Sequence, residues 1–317
     1  MKSARKSKAR RAAKRAKPVA RKPAKAAWRK PASHGIPFVK MEGIGNDYVY
    51  IDARSEVPDN LPELARKMSD RHFGIGSDGI ILIRRSDKKG VKHRMQMFNS
   101  DGSESEMCGN GLRCVGKYLY DRKLEKSETF PVETGAGVLS VTITEQQKHI
   151  ASKARVNMGQ PRFLRSEIPM QGDPQSKCVI EPFKVGLREF IITALSMGNP
   201  HCVIFVDKPP ADDLVLVYGP QIENHEAFPR RTNVEFVYKQ PDGVLLQRTW
   251  ERGAGETLAC GTGASAVCVA ANLNGLAGRK VKIKLLGGEL EMEWNEKDNC
   301  VYKTGPAIEV YSGVWNG

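Results

Sequence analysis

Met107-Cys108-Gly109-Asn110-Gly111-Leu112 returns in altered form as Ala259-Cys260-Gly261-Thr262-Gly263-Ala264, and this pair decides how the chain is read. After each cysteine the apolar spacing turns helical. Leu112, Val115 and Leu119 recur on one face through Tyr120, whereas residues 264–273 are apolar nearly all round, the mark of a helix buried on every side. Asn274 and Gly275 end that second helix. The duplication extends upstream. Gly45-Asn46 precedes a strand ending in Asp52, and Gly198-Asn199 precedes one ending in Asp207; Asn46 to Cys108 spans 62 positions and Asn199 to Cys260 spans 61. Near-equal intervals between matched motifs imply two similar α/β domains, each wrapping a sheet around a central helix, facing one another across a cleft by pseudo-twofold symmetry. The site is expected in that interdomain cleft.

Strands are expected at 38–41, 48–51, 80–83, 95–98, 138–143 and 155–158, then at 191–195, 202–206, 233–238 and 245–250, with more strands closing the chain. Asn60 and Pro62 read as the N-cap and first-turn proline of a short helix carrying Leu61, Leu64, Ala65 and Met68.

The formal charge of +14 on 317 residues suggests a polyanionic partner until its distribution is seen. Residues 1–30 hold fourteen Lys or Arg and no Asp or Glu, which leaves 36 basic against 36 acidic residues for the neutral remainder. This tail, rich in Lys, Arg, Ala and Pro, has too little apolar surface to fold and is expected to be disordered over 1–35. It is a solubilising extension or a nonspecific nucleic-acid or anionic-surface contact; with only Ser3 and Ser7 before Trp28 and no amphipathic face it makes a poor plastid transit peptide. No apolar run is long enough to span a bilayer, so a soluble, cytoplasmic protein is expected.

Seven cysteines without CxxC or zinc-type spacing fit free thiols in a reducing compartment. Cys114, Cys178, Cys202, Cys268 and Cys300 read as small core hydrophobes. Cys108 and Cys260 read differently. A cysteine opening a helix among glycines sits where unpaired N–H groups bind a carboxylate and the helix field favours a thiolate. Two such motifs face to face hold an amino acid's carboxylate with a sulfur on each side of Cα, so that one thiolate removes the α-proton while the opposite thiol returns one. Carboxylate donors stabilise the carbanion, with no metal or other cofactor required. With substrate between them the sulfurs would stand about 6 to 7 Å apart, beyond disulfide reach.

The stretches Lys40-Met41-Glu42-Gly43-Ile44-Gly45-Asn46-Asp47, Phe98-Asn99-Ser100-Asp101-Gly102-Ser103-Glu104, Gly198-Asn199-Pro200-His201, Arg231-Thr232-Asn233-Val234 and Trp250-Glu251-Arg252-Gly253-Ala254-Gly255-Glu256-Thr257, together with the two cysteine motifs, resemble the diaminopimelate epimerases in order and spacing from about residue 36 to 317. The resemblance implies a homodimeric, pyridoxal-free and metal-free enzyme interconverting L,L- and meso-2,6-diaminopimelate for lysine and peptidoglycan synthesis. It makes Cys108 and Cys260 the two bases. Gly109, Asn110, Gly261 and Thr262 would bind the reacting carboxylate. Asn46, Asn99, Asn199, Asn233, Glu251 and Arg252 would contact the amino groups and distal carboxylate, Arg252 through its planar fork. His201 and Glu251 would tune the thiols, although His201 also fits a structural role and Asn46 and Asn99 also fit as turn formers. Gly79 departs from the Gln that many members carry there. A proline or hydroxyproline racemase is the related alternative, one that calls for a smaller, more apolar site. The organisation expected is a basic tail (1–35), an N-terminal domain (36–152, with 306–317 returning to it) and a C-terminal domain (153–305), each a mixed, mostly antiparallel sheet or barrel around its helix.

Overall fold

Short strands with alternating burial dominate the computed structural model, which describes residues 35–317; the basic tail and everything expected of it lie outside them, Gly35 apart. Alternation is plain in β17 (Val301–Pro306), where Val301, Lys303 and Gly305 point inward and their neighbours do not. Among the described residues, no helix is long and apolar enough to cross a membrane.

The first half runs β1 (Ile36–Gly43), β2 (Asn46–Asp52), α1 (Leu61–Ser69), β3 (Gly79–Arg85), β4 (His93–Asn99), β5 (Glu104–Ser105), α2 (Gly109–Asp121), β6 (Thr129–Thr134), β7 (Gly137–Gln147) and β8 (Ile150–Asn157). After β9 (Cys178–Val185) the order recurs: β10 (Arg188–Ser196), β11 (Pro200–Val206), a π-helical turn leading into α3 (Gly219–Glu223), β12 (Asn233–Lys239), β13 (Leu245–Glu251), β14 (Gly255–Glu256), α4 (Gly261–Leu273), β15 (Lys280–Leu285), β16 (Gly288–Trp294) and β17, followed by β18 (Ile308–Trp315). Pairing duplicates as well. In each half the second and third strands are parallel (β2–β3, β11–β12), as are the strands before and after the long helix (β4–β6, β13–β15). The other ladders are antiparallel, and β8 with β17 joins the halves into one mixed sheet. The extra strands are equivalent too: β9 lies on β10 and β18 lies on β1.

Each half curls its sheet around its long helix. Leu112, Val115 and Leu119 of α2 and Ala266, Val267 and Ala270 of α4 belong to one continuous core. The outer faces carry smaller cores, Ala65 and Met68 of α1 over Val49, Ile80 and Phe98 in one half, and Leu214, Val215 and Ile222 over Ile204 and Phe236 in the other.

Local details depart from the sequence reading. Helix α2 is buried on all faces, its charged stripe included. Arg113 bonds Pro306 O and Asn110 Oδ1, and Lys117 bonds Ala151 O and Asp121, so polar partners inside the protein take the place of water, a detail the expectation of a central helix did not include. Asn60 stands at the N-cap position in a left-handed conformation (φ 50°) and makes no side-chain cap bond. Cys300 is half-exposed rather than core, while Cys114, Cys178, Cys202 and Cys268 are buried. The π-helical segment and α3 had no clear periodic signal in the sequence.

Candidate active site

Cys108 and Cys260 are the N-caps of α2 and α4, both extended, and each sulfur accepts the N–H of the third helical residue: Gly111 at 3.4 Å and Gly263 at 3.3 Å. The first intrahelical bonds run from Leu112 to Cys108 O and from Ala264 to Cys260 O. The N–H groups of Gly109, Asn110, Gly261 and Thr262 therefore precede the ladder and are free for an anion. The glycines let a side chain approach the helix starts closely. A Cβ on Gly109 or on Gly261 would fall 2.5 or 2.1 Å from the same atom, Lys303 Nζ, so the first turns of the two helices meet at that ammonium. Asn110 Oδ1 accepts from Lys303 Nζ at 3.0 Å and from Arg113 at 2.8 Å.

Around Cys108, the thiol donates to Asn46 Oδ1 (3.1 Å) and Asn46 Nδ2 donates to Asp78 Oδ2 (2.7 Å). Burial and the neighbouring Asp47 raise the Asp78 carboxyl above its ordinary range. Asp47 moves the other way: burial opposes it, but Arg71 and Lys40 bond it and hold it low.

The surroundings of Cys260 are drier. Burial first, then the charges of Glu251 and Glu235, push its thiol well above the ordinary range. Burial likewise raises Glu251, which Thr257 bonds. His201 is fully buried between two polar partners, Glu235 Oε1 (2.7 Å) at Nδ1 and Asn199 Oδ1 (3.0 Å) at Nε2. Asn199 Nδ2 donates to Thr262 Oγ1 (3.3 Å), whose hydroxyl lies 3.6 Å from Cys260 Sγ. A hydrogen-bonded chain thus links His201 to the sulfur.

Asn233, at the start of β12, donates to Pro200 O and accepts from the Arg252 backbone N–H, which fixes the turn carrying Arg252; the Arg252 guanidinium is exposed on Arg230 O. Asn99 ends β4 and bonds Ser103 Oγ across the turn, with no bond to another residue of this group. It holds the place in the first half that Glu251, the last residue of β13, holds in the second. Gly79, first in β3, corresponds to Asn233, first in β12, and a Cβ there would meet Phe98 O at 2.1 Å.

The motif reading passed over Lys303, Arg113, Glu235, Asp78 and Glu223. Glu223 accepts from Trp250, Gly253 and Arg231 and so anchors the Arg252 turn. Only Lys303 had an available signal, its inward phase in an alternating strand.

The profile of the diaminopimelate epimerase family matches residues 38–164 and 193–310. The chain belongs to this family. It is 52% identical to the diaminopimelate epimerase of Leptospira biflexa over 88% of this chain and 98% of that one, and 48% identical to that of Methanococcus maripaludis strain C6 over 88% and 99%. Solved structures share the fold at low identity: a hydroxyproline epimerase of Agrobacterium vitis with bound trans-4-hydroxy-L-proline (TM-score 0.62, 13% identity, 91% and 95% covered) and a PhzF-family phenazine biosynthesis protein of Bacillus anthracis (0.60, 16%, 88% and 98%). These likenesses carry the fold, two similar domains, and nothing of substrate. Family membership makes the chain an isomerase of the epimerase type.

Proposed function

We propose that the protein epimerises 2,6-diaminopimelate between the L,L and meso forms with Cys108 and Cys260 as opposed base and acid. The observation that carries this reading is the meeting of two cysteine-capped helix N-termini from the two halves at one point. A carboxylate on the free N–H groups of Gly109, Asn110, Gly261 and Thr262 would sit between the caps, its Cα exposed to one sulfur on each side. A thiolate takes the α-proton; the negative charge spreads onto carboxylate oxygens already held by N–H donors; the opposite thiol supplies its proton to the other face. In the reverse direction the two exchange roles. Asn46, Asn99, Asn199, Asn233, Glu251 and Arg252 surround the remainder of the substrate in this reading, and His201 and Glu251 set the proton affinity of Cys260.

The experiment is incubation with meso-diaminopimelate in heavy water, with chelator and reductant and without pyridoxal. Deuterium should enter Cα as the isomer ratio moves to equilibrium. Folded protein that gives neither result refutes the assignment.

A homodimer through β18 belongs to the same reading, supported by the exposed row Ile308, Val310, Tyr311 and Val314 along that strand, and sedimentation measures it. So do a division into 36–152 with 306–317 and 153–305, supported by the β1–β18 ladder, and a cytoplasmic location. Binding of residues 1–35 to nucleic acid is tested by its loss on deleting them, with turnover unchanged.

A further inference from the structure

Among the described residues three lysines are buried. Lys40 pairs with Asp47 and Lys117 with Asp121, whereas no carboxylate stands within ion-pair distance of Lys303. Arg113, also wholly buried and also without a carboxylate partner, lies beside it on Asn110. Two cations have therefore been placed at the positive ends of two helices, an arrangement that is costly unless a negative charge balances it. The groups facing the Lys303 ammonium are Arg113 and Cys108 from the α2 side and Cys260 from the α4 side. Arg113 in turn faces Cys114, Cys108, Tyr50 and Glu42. Within the chain, the groups placed to balance charge at Lys303 are the two sulfurs.

We propose that Lys303 is the shared counter-cation of the two thiols, stabilising as thiolate whichever sulfur has lost its proton, and is thus a positioning residue of the proton-transfer pair. This rests on the two-thiol reading above. A cation at the meeting of the two helix first turns suits a reaction in which base and acid exchange roles, because it favours one negative charge at the pair without belonging to either half's cysteine alone. Burial and Arg113 bring the ammonium down to about 7, with the sulfurs opposing that fall, so its charge is responsive in the neutral range.

The test compares the whole protein with Lys303→Gln, which retains a donor for Asn110 without charge, and Lys303→Met, which retains neither. Iodoacetamide alkylation of Cys108, Cys260 and the half-exposed Cys300 is followed by peptide mass across pH, with thermal melting alongside. In both variants the midpoint for Cys108, Cys260 or both should rise by about one pH unit, slowing alkylation at neutral pH about tenfold, while Cys300 is unmoved. Melting temperature should hold or rise, since a buried charge is removed and Asn110 Oδ1 keeps Arg113. Unmoved midpoints at both sulfurs overturn the proposal, as does a wild-type midpoint in Lys303→Gln with a shift in Lys303→Met alone, which would assign the effect to the Asn110 bond. The underlying two-thiol reading fails separately, if wild-type protein alkylated at both sulfurs still epimerises substrate.

Discussion

The two halves present the same cap on helices of the same length, 13 residues, yet the sulfurs meet opposite surroundings. Cys108 is half-exposed and gives its proton toward an amide whose other end rests on a carboxylate. Cys260 is buried, pushed up by dryness and by Glu251 and Glu235, and linked by a hydrogen-bonded chain to His201. Backbone duplication therefore fixes where the sulfurs stand, and the side chains around them give each its own hydrogen-bond partners and exposure.

The largest expected effect tests whether both halves are needed. Cys108→Ala and Cys260→Ala should each slow epimerisation by at least about 1,000-fold, read as isomer ratio, with circular dichroism unchanged. Substantial turnover in either would leave a one-sulfur enzyme. Next comes the carboxylate behind each sulfur's hydrogen-bond chain, Glu235 in the second half and Asp78 in the first. Glu235→Ala strands His201 and should cost about 3 to 5 kcal/mol in urea unfolding, whereas Asp78→Ala, at the corresponding end of the first chain but half-exposed, should cost about 1 to 2 kcal/mol. Equal losses would erase the contrast.

A smaller change sharpens it by pH. Glu251→Gln removes a negative charge beside Cys260, which favours the thiolate, so the alkylation midpoint of Cys260 should fall by about one pH unit while that of Cys108 stays in place. A rise instead would mean that Glu251 acts as a proton acceptor rather than as a charge. The smallest effects compare equivalent glycines. A methyl at Gly263 meets Glu235 Oε1 at 2.7 Å and Cys260 Sγ at 3.1 Å, so Gly263→Ala should lower turnover severalfold; Gly111→Ala presses on Ile81 Cδ1, the end of a flexible chain, and should cost about 1 kcal/mol of stability with turnover near wild type.

Much of the site was legible because its chemistry is local. Cysteine flanked by glycines before a helical period implies a capped N-terminus with free N–H groups, and near-equal intervals from Asn46 and Asn199 expose the duplication without any contact being known. Partners distant in sequence were not legible. Asp78 reaches Asn46 across the β2–β3 pair, Glu235 reaches His201 across β11–β12, and neither spacing is periodic. Nor was the burial of Arg113 and Lys117 legible, since the same stripe of charges serves a solvated helix face and a buried one with carbonyl partners.

By itself the sequence determined the two long helices and most of the strands around them, their duplication and the two capping cysteines, because turn chemistry, helix caps and strand alternation act over a few residues. The tertiary structure alone decided that both caps meet at Lys303, that Cys260 is dry while Cys108 is not, and that His201 sits between two polar partners. Burial and charge balance depend on which surfaces meet when the sheets close, and no short stretch of chain carries that information.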